Sequence, residues 1–317
     1  METKDELLKI FSVKLRMILG NLKINFDELQ EIRLRINCPL IINYKNREYF
    51  VSEDGSLVPN PDKGVLISKN EIKETLEYIS NYSLYAFEEE IRQGFITISG
   101  GHRIGIAGKT IVQGNHIKGM KHISFINIRL AHQVKGCADK VLPYLIDEKN
   151  HSIYHTLIIS PPKCGKTTLL RDIIRQISDG GPNFQGMNVG VVDERSEIGA
   201  CYMGVPQNEL GIRTDVLDCC PKAKGMMMLI RSMSPQVIAV DEIGSKEDLE
   251  AINHVINCGC KLIATVHGSS LEDVKSKPVL GELMQNRVFE RYIILSNIKR
   301  IGNIEEICDA AGNKIWG

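Results

Sequence analysis

The order of hydrophobic and polar residues changes its period near residue 154. Beyond that point, short apolar runs rich in β-branched residues alternate with segments of helical periodicity. Nearly continuous apolar runs are typical of strands that are buried on both faces of a parallel sheet. The pattern predicts strands at 156–159, 189–192, 237–240 and 262–266, and helices at 166–178, 223–233 and 246–258. Because strands and helices alternate, we expect an α/β domain with crossover helices and a parallel-type sheet.

The first part of the chain mixes the two periods. A helical stripe predicts one core-facing helix near the start, with apolar positions at Leu8, Phe11, Leu15, Ile18 and Leu22. Alternation of apolar and charged residues predicts a strand at 31–36, and further strand segments follow at 40–51, 94–108 and 123–130. Between them we expect a helix that is capped by Asn70 and helical character again at 85–92. We therefore expect a smaller α+β domain at 1–132, followed by the α/β domain at 133–317.

Composition narrows the classes of protein that fit. Lysine plus arginine and aspartate plus glutamate number 39 each, so the chain as a whole has no basic footprint for nucleic acid. The nine cysteines include no CxxC pair, and the start of the chain lacks the pattern of a signal peptide. No apolar run approaches the ~18 residues of a membrane-spanning helix. We expect a cytoplasmic protein with free thiols, either soluble or peripheral to a membrane.

The first predicted strand of the α/β domain leads into the pattern of a phosphate-binding loop. The segment consists of Ser160, Pro161, Pro162, Lys163, Cys164, Gly165, Lys166, Thr167 and Thr168. Backbone N–H groups at a helix N-terminus favour anions, the lysine reaches the β- and γ-phosphates, and the threonine hydroxyl meets Mg²⁺. Ser160 departs from the pattern, because glycine normally occupies that position. The segment predicts binding of a nucleoside triphosphate, with ATP and Mg²⁺ as the expected cofactors.

Three later strands end in polar residues, on the side of a parallel sheet where ligands bind. Asp241 and Glu242 follow the strand at 237–240, which is a Walker B arrangement in which Asp241 holds Mg²⁺ and Glu242 orients the attacking water. A second acidic pair, Asp193 and Glu194, follows the strand at 189–192. His267 ends the strand at 262–266 and is a candidate sensor of the γ-phosphate.

Arginines near these strand ends are candidates for stabilising negative charge in a transition state. They are Arg195, Arg213 and Arg231. Of these, Arg213 is expected in a loop just before the helix at 223–233. Surface salt bridges are an equally good interpretation for each arginine taken singly.

These motifs together resemble the stage III sporulation protein AA family of endospore-forming bacteria. The resemblance rests on residues 31–35, 39–40, 85–98, 100–103, 160–172, 193–198, 213–218, 231–235 and 289–292. The serine at position 160 resembles that family's own version of the phosphate-binding loop. More distantly, the chain is similar to the hexameric motor ATPases of type II and type IV secretion and of type IV pili.

The resemblance implies a RecA-like ATPase domain behind an α+β domain, in a hexamer of identical subunits. It implies an acidic box at Asp193 and Glu194 and a histidine box at His267. It also implies arginines contributed across subunits, for which Arg92, Arg103 and Arg129 are candidates. The secretion motors have Gly-Glu where this chain has Asp241 and Glu242, so either Glu194 or Glu242 could position the water.

The implied role is to energise or assemble a secretion-like channel complex between mother cell and forespore. The expected partners are further copies of the chain and membrane-embedded components of that complex, with the protein peripheral at the mother-cell membrane. One alternative is a nucleic-acid-dependent RecA-like ATPase, for which Lys109, Lys118, Lys121, His122 and Arg129 would supply a basic tract. The other is an ATP-gated assembly scaffold with little turnover.

Overall fold

The computed structural model describes residues 2–83, 87–114, 116–182, 184–296 and 302–317. The chain divides into two compact units, Met1–His132 and Gln133–Gly317. The first two residues of the family-like segment 85–98 lie outside the described residues, as does the start of the helical stretch expected at 85–92.

The first unit is built on a seven-stranded antiparallel sheet with the order β4-β3-β2-β1-β7-β6-β5. Its strands are β1 (Leu29–Arg35), β2 (Ile41–Tyr44), β3 (Arg47–Val51), β4 (Leu57–Val58), β5 (Phe95–Thr97), β6 (Arg103–Gln113) and β7 (His116–Arg129). Its helices are α1 (Glu2–Leu8), α2 (Val13–Gly20), α3 (Lys69–Ile79) and α4 (Glu88–Gln93). One apolar core joins the helices to the sheet, and it contains the whole predicted stripe from Leu8 to Leu22.

Two predictions for this unit are wrong in detail. The stripe does not form one helix, because Ser12 interrupts it and caps α2 by accepting a hydrogen bond from the Leu15 amide. Asn70 does not cap α3, since Ser68 does so in a capping box with Glu71. The Ser-x-x-Glu spacing of that box was present in the sequence.

The second unit is an α/β structure on an eight-stranded sheet with the order β12-β11-β13-β14-β10-β15-β16-β17. Its sheet strands are β10 (Thr156–Ser160), β11 (Val189–Asp193), β12 (Thr214–Asp218), β13 (Val237–Val240), β14 (Lys261–His267), β15 (Arg291–Ser296), β16 (Asn303–Asp309) and β17 (Lys314–Trp316). A separate short hairpin pairs β8 (Ile146–Asp147) with β9 (Ser152–Ile153). The helices are α5 (Leu142–Leu145), α6 (Lys166–Asp179), α7 (Lys222–Ser232), α8 (Lys246–Asn257), α9 (Leu271–Ser276) and α10 (Pro278–Gln285).

The sheet is mixed, which corrects the expectation of a parallel-type sheet. The six strands from β12 to β15 run parallel, whereas β16 and β17 add to the edge in antiparallel pairing. The segment between β15 and β16 is too short for the crossover of a dozen or more residues that parallel pairing needs. An antiparallel return is therefore the only pairing that its length permits.

Alternate residues of the central strands point to opposite faces of the sheet. Ile158 packs in a core with α6, while Leu157 and Ile159 pack in a second core with α7 and α8. This two-sided burial explains the nearly continuous apolar runs in the sequence. Within the described part of the chain, the helices are all too short or too polar to cross a bilayer.

Candidate functional site

The parallel pairing brings the carboxyl ends of β10, β14 and β13 to one edge of the sheet. Ser160 at the end of β10 lies beside His267 at the end of β14. On the next strand, Val240 lies beside Ala264, so Asp241 and Glu242 emerge at the same edge. The polar strand ends identified in the sequence are therefore neighbours in space.

The loop at 160–165 places the start of α6 at this edge. Gly165 precedes the helix with a φ of 87°, a left-handed conformation that glycine adopts without strain. Lys166 then begins the helix and is 8% exposed. The first turn of a helix has N–H groups without intrahelical partners, so this turn can bind an anion.

Ser160, the first residue of the loop, has structural contacts. Ser160 is fully buried, and its hydroxyl donates to the Pro161 carbonyl at 2.9 Å. The Ser160 carbonyl accepts from the Gly268 amide at 3.1 Å. Because Ser160 is an extended residue of β10, its backbone does not require the glycine usual at this position.

Lys166 and Thr167 contact the two carboxylates that follow β13. The Lys166 ammonium donates to Glu242 Oε1 at 2.5 Å and lies 3.5 Å from Asp241 Oδ1. The Thr167 hydroxyl donates to Asp241 Oδ2 at 2.7 Å. The lysine, the hydroxyl and both acids of the predicted site therefore form one cluster.

Thr265 on β14 orients the two acids of this cluster. Its buried hydroxyl donates to Asp241 Oδ1 and accepts from the Glu242 amide, the latter at 2.9 Å. One side chain thus orients both consecutive acids. Thr265 had no predicted role, although alternation along the strand puts it on the same face as His267, two residues later.

Three basic side chains surround the Glu242 carboxylate. Besides Lys166, its carboxylate contacts Arg195 Nη1 at 2.7 Å and His267 Nε2 at 2.9 Å. Burial disfavours the charged form of Glu242, but the lysine hydrogen bond and the neighbouring cations outweigh burial and lower its pKa. Glu242 also has a φ of 55°, which is uncommon for a residue other than glycine and is found at functional sites.

The second acidic pair has different surroundings. Asp193 is 2% exposed and accepts three backbone N–H bonds, each of 2.8 Å, from residues 197–199. Burial raises the pKa of Asp193 to about 6, against the effect of these bonds. Glu194 forms an ion pair with Lys222, a residue that sequence reasoning missed. Both acidic pairs, Arg195 and Lys222 line one cavity of about 260 Å³.

Two of the candidate arginines lie outside the cluster. Arg213 was expected in a loop just before the helix at 223–233, but it lies directly before the edge strand β12. It is therefore at the amino end of the sheet. Its guanidinium donates to the Ser178 carbonyl at 2.8 Å, at the C-terminal end of α6. Arg231 is exposed in the last turn of α7. Of the three, Arg195 alone contacts the acids.

The arginines considered for contact across subunits all lie in the first unit. Arg92 donates to the Lys118 carbonyl at 3.0 Å. Arg103 stacks 3.6 Å from the centroid of the Phe95 ring, and Arg129 lies 3.7 Å from Glu31. Their role across a subunit boundary stays a prediction.

The residues present fit a nucleoside triphosphate with Mg²⁺. A helix N-terminus and a buried lysine suit phosphate oxygens, and a hydroxyl beside a carboxylate suits Mg²⁺. The described residues include no group of three or more His, Cys, Asp or Glu that could hold a metal. Mg²⁺ is commonly bound through one or two protein ligands together with substrate phosphates, so Thr167 and Asp241 suffice as the protein's share.

A family model described as "Sporulation stage III, protein AA" matches residues 1–315. Stage III sporulation protein AA of Bacillus subtilis (strain 168) is 43% identical over 286 residues, which are 90% of this chain and 88% of that protein.

Solved structures share the fold at low identity. The X-ray structure of the Yersinia pseudotuberculosis ATPase DotB has a TM-score of 0.58 at 14% identity, covering 96% of this chain and 78% of that chain. The pilus retraction motor PilT with bound ADP has a TM-score of 0.54 at 16% identity, covering 88% and 78% respectively. At these identities the likeness is one of fold.

Proposed function

Because the chain belongs to the stage III sporulation protein AA family, we propose that it is a Mg²⁺-dependent ATPase of a sporulation channel complex. In this proposal the second unit, 133–317, is a RecA-like motor domain and the first, 1–132, is its accessory domain. Hydrolysis energises or assembles a secretion-like complex between mother cell and forespore. The fold shared with DotB and PilT supports a motor.

One observation carries the enzymatic part of the proposal: the loop lysine and the strand acids are in contact. Lys166 lies within hydrogen-bonding distance of Glu242, and Thr167 within hydrogen-bonding distance of Asp241. Phosphoryl transfer depends on positioning and on stabilising charge, and these are the groups that it requires. Thr167 and Asp241 would hold Mg²⁺, which would supply positive charge to offset the negative charge that develops on the phosphate.

The geometry favours Glu242 over Glu194 as the residue that orients water. Glu242 contacts the loop lysine directly, and the adjacent cations lower its pKa, so its carboxylate is ionised and can accept a proton or hydrogen bond from water. Glu194 is paired with Lys222 instead. His267 also contacts Glu242, which supports the proposal that this histidine senses the γ-phosphate.

The proposed assembly is a ring of identical subunits, likened to hexameric motors, that is peripheral to the mother-cell membrane. It would act on membrane-embedded components of the complex. Light scattering with and without a non-hydrolysable ATP analogue, run beside phosphate release, tests this part. A ring that forms without phosphate release would indicate an assembly scaffold rather than a motor.

The enzymatic part is tested by Lys166→Ala in a phosphate-release assay with ATP and Mg²⁺. We expect turnover to fall to that of a protein-free blank, because Lys166 is the lysine that begins α6 and contacts both strand acids. The circular-dichroism spectrum should be retained, since Lys166 contacts the edge of the sheet rather than either apolar core.

The matched control is Lys149→Ala, which removes an exposed lysine from a turn outside the site. It should leave phosphate release unchanged. Turnover in Lys166→Ala equal to that in Lys149→Ala would refute the proposed site.

A further inference from the structure

The loop that carries Arg195 is closed by the carboxylate of Asp193. Asp193 Oδ1 accepts from the Glu197 amide, and Oδ2 accepts from the Ile198 and Gly199 amides, each at 2.8 Å. These bonds hold residues 194–196 as a tight loop directly after β11. Ser196 in this loop has a φ of 52°, which an ordinary residue adopts only under such constraint.

Arg171 holds the same backbone through its carbonyl groups. Its Nε donates to the Ile198 carbonyl at 3.0 Å, and its Nη2 donates to the Glu197 carbonyl at 2.8 Å. One planar guanidinium therefore donates hydrogen bonds to two successive carbonyls, while the Asp193 carboxylate accepts hydrogen bonds from the neighbouring amides. Burial lowers the pKa of Arg171. We call Asp193, Arg171 and residues 197–199 the peptide clamp.

The peptide clamp joins the two elements whose side chains meet at Glu242. Arg171 lies on α6 one turn beyond Thr167, in the helix that begins with Lys166. The loop that it grips carries Arg195. Lys166 and Arg195 contact the two oxygens of the Glu242 carboxylate at 2.5 Å and 2.7 Å. The separation of these two cations is consequently set through Arg171.

We propose that Arg171 is a positioning residue that fixes Arg195 relative to the phosphate loop, so that Lys166 and Arg195 hold Glu242 between them. This inference rests on the proposed ATPase function. It assigns Arg195 to the nucleotide site through a contact within one subunit. Arg171 itself contacts backbone carbonyls of the loop and acts only through the loop.

The first test is Arg171→Ala, measured by steady-state phosphate release and by hydrogen–deuterium exchange of peptides that contain residues 197–199. We expect kcat to fall about 10- to 100-fold, while KM for ATP stays within about threefold, because misplacement of a catalytic group affects the transition state more than binding. Amide exchange at 197–199 should accelerate, because the carbonyl side of the clamp is released. A purely structural role would not concentrate the faster exchange at these three amides.

Arg171→Lys retains the charge and most of the packing, so it provides the test should the alanine variant fail to fold. An ammonium cannot grip two carbonyls as a planar fork does, and both kcat and exchange should lie between those of wild type and Arg171→Ala. The matched control is Arg175→Ala, in the same helix, where the arginine pairs with Asp172 and Asp179 and is absent from the clamp. It should leave kcat and exchange at 197–199 as in wild type.

The outcomes separate this inference from the proposed function. Phosphate release in Lys166→Ala equal to wild type would refute the ATPase site itself. If Lys166→Ala is inactive but Arg171→Ala or Arg171→Lys matches Arg175→Ala in kcat and in exchange, the ATPase stands and the positioning role of Arg171 is wrong.

Discussion

Two Asp-Glu pairs follow neighbouring parallel strands, and the structure gives them opposite environments. Asp193 is enclosed and satisfied by backbone amides, and burial raises its pKa to about 6. Asp241 and Glu242 instead contact side chains of the phosphate loop, and the pKa of Glu242 is lowered. The same local sequence, an apolar strand followed by two acids, thus supports a loop in one case and faces the candidate chemistry in the other.

The order of the strands explains the difference. One strand, β14, separates β13 from β10, whereas two strands separate β11 from β10. Neighbouring strands lie about 4.8 Å apart, so the end of β13 is about 10 Å from β10 and within reach of side chains from the start of α6. The end of β11 is one strand farther away, and its Asp193 bonds to the loop that follows it.

The comparison is tested most strongly by exchanging each glutamate for its amide. Glu242→Gln should lower kcat for phosphate release by about 10²- to 10⁴-fold, the usual contribution of a positioned general base. Glu194→Gln is the matched control and should have a much smaller effect, because it removes a partly exposed ion pair with Lys222. Steady-state kinetics of both variants measure this difference in kcat. An equal loss of kcat in the two variants would contradict the different roles of Glu242 and Glu194.

A second test uses the opposite pKa shifts of Asp193 and Glu242. The raised pKa of Asp193 contributes stability that is fully present below its ordinary value of 3.8 and is lost as pH rises through about 6. Relative to Asp193→Asn, the wild-type free energy of unfolding in urea should therefore fall between about pH 4 and pH 7, on the order of 3 kcal/mol.

Glu242→Gln is the control for sign. Because the folded-state pKa of Glu242 is lowered, its contribution is present above its ordinary value of 4.5 and is lost as pH falls through the folded-state pKa. As pH rises, the stability of wild type should therefore fall relative to Asp193→Asn and rise relative to Glu242→Gln. Parallel profiles would contradict the assignment of Asp193 as the buried, protonation-favouring acid.

A smaller effect on phosphate release is expected at Thr265, which contacts Asp241 and Glu242. Thr265→Val removes the hydroxyl that orients Asp241 and Glu242 while retaining the size of the side chain. The Mg²⁺ concentration for half-maximal phosphate release should rise by about 10- to 100-fold, as for other residues that orient a metal ligand. Thr156→Val is the matched control, because that equally buried hydroxyl bonds to the Tyr154 carbonyl. Similar Mg²⁺ curves for the two variants would show that Thr265 has no such role.

Periodicity predicted the central elements of the second unit well. The strand predicted at 237–240 is observed as Val237–Val240, and the helix predicted at 166–178 is observed as Lys166–Asp179. Burial on two faces makes such strands continuous in apolar residues, so the signal is local. The edge strand β12 was missed because its residues are only partly buried and carry aspartates at both ends of its apolar pair.

The first unit shows where local patterns mislead. The apolar stripe from Leu8 to Leu22 is buried throughout, yet Ser12 divides it into two helices. A periodic stripe reports which residues face the core, and it does not report where the backbone turns between them. The capping bond of Ser12 decides that point.

By itself, the sequence determined the phosphate loop, the strands that end in acids, and membership of the family, because each depends on residues that are close together or on the pattern of the whole chain. Only the tertiary structure decided which acidic pair meets Lys166, that Arg195 rather than Arg213 joins it, and that Arg171 grips the intervening loop. These are contacts between segments far apart in the chain. They depend on strand order and on the edge of the sheet at which each side chain emerges, and neither is encoded in any local pattern.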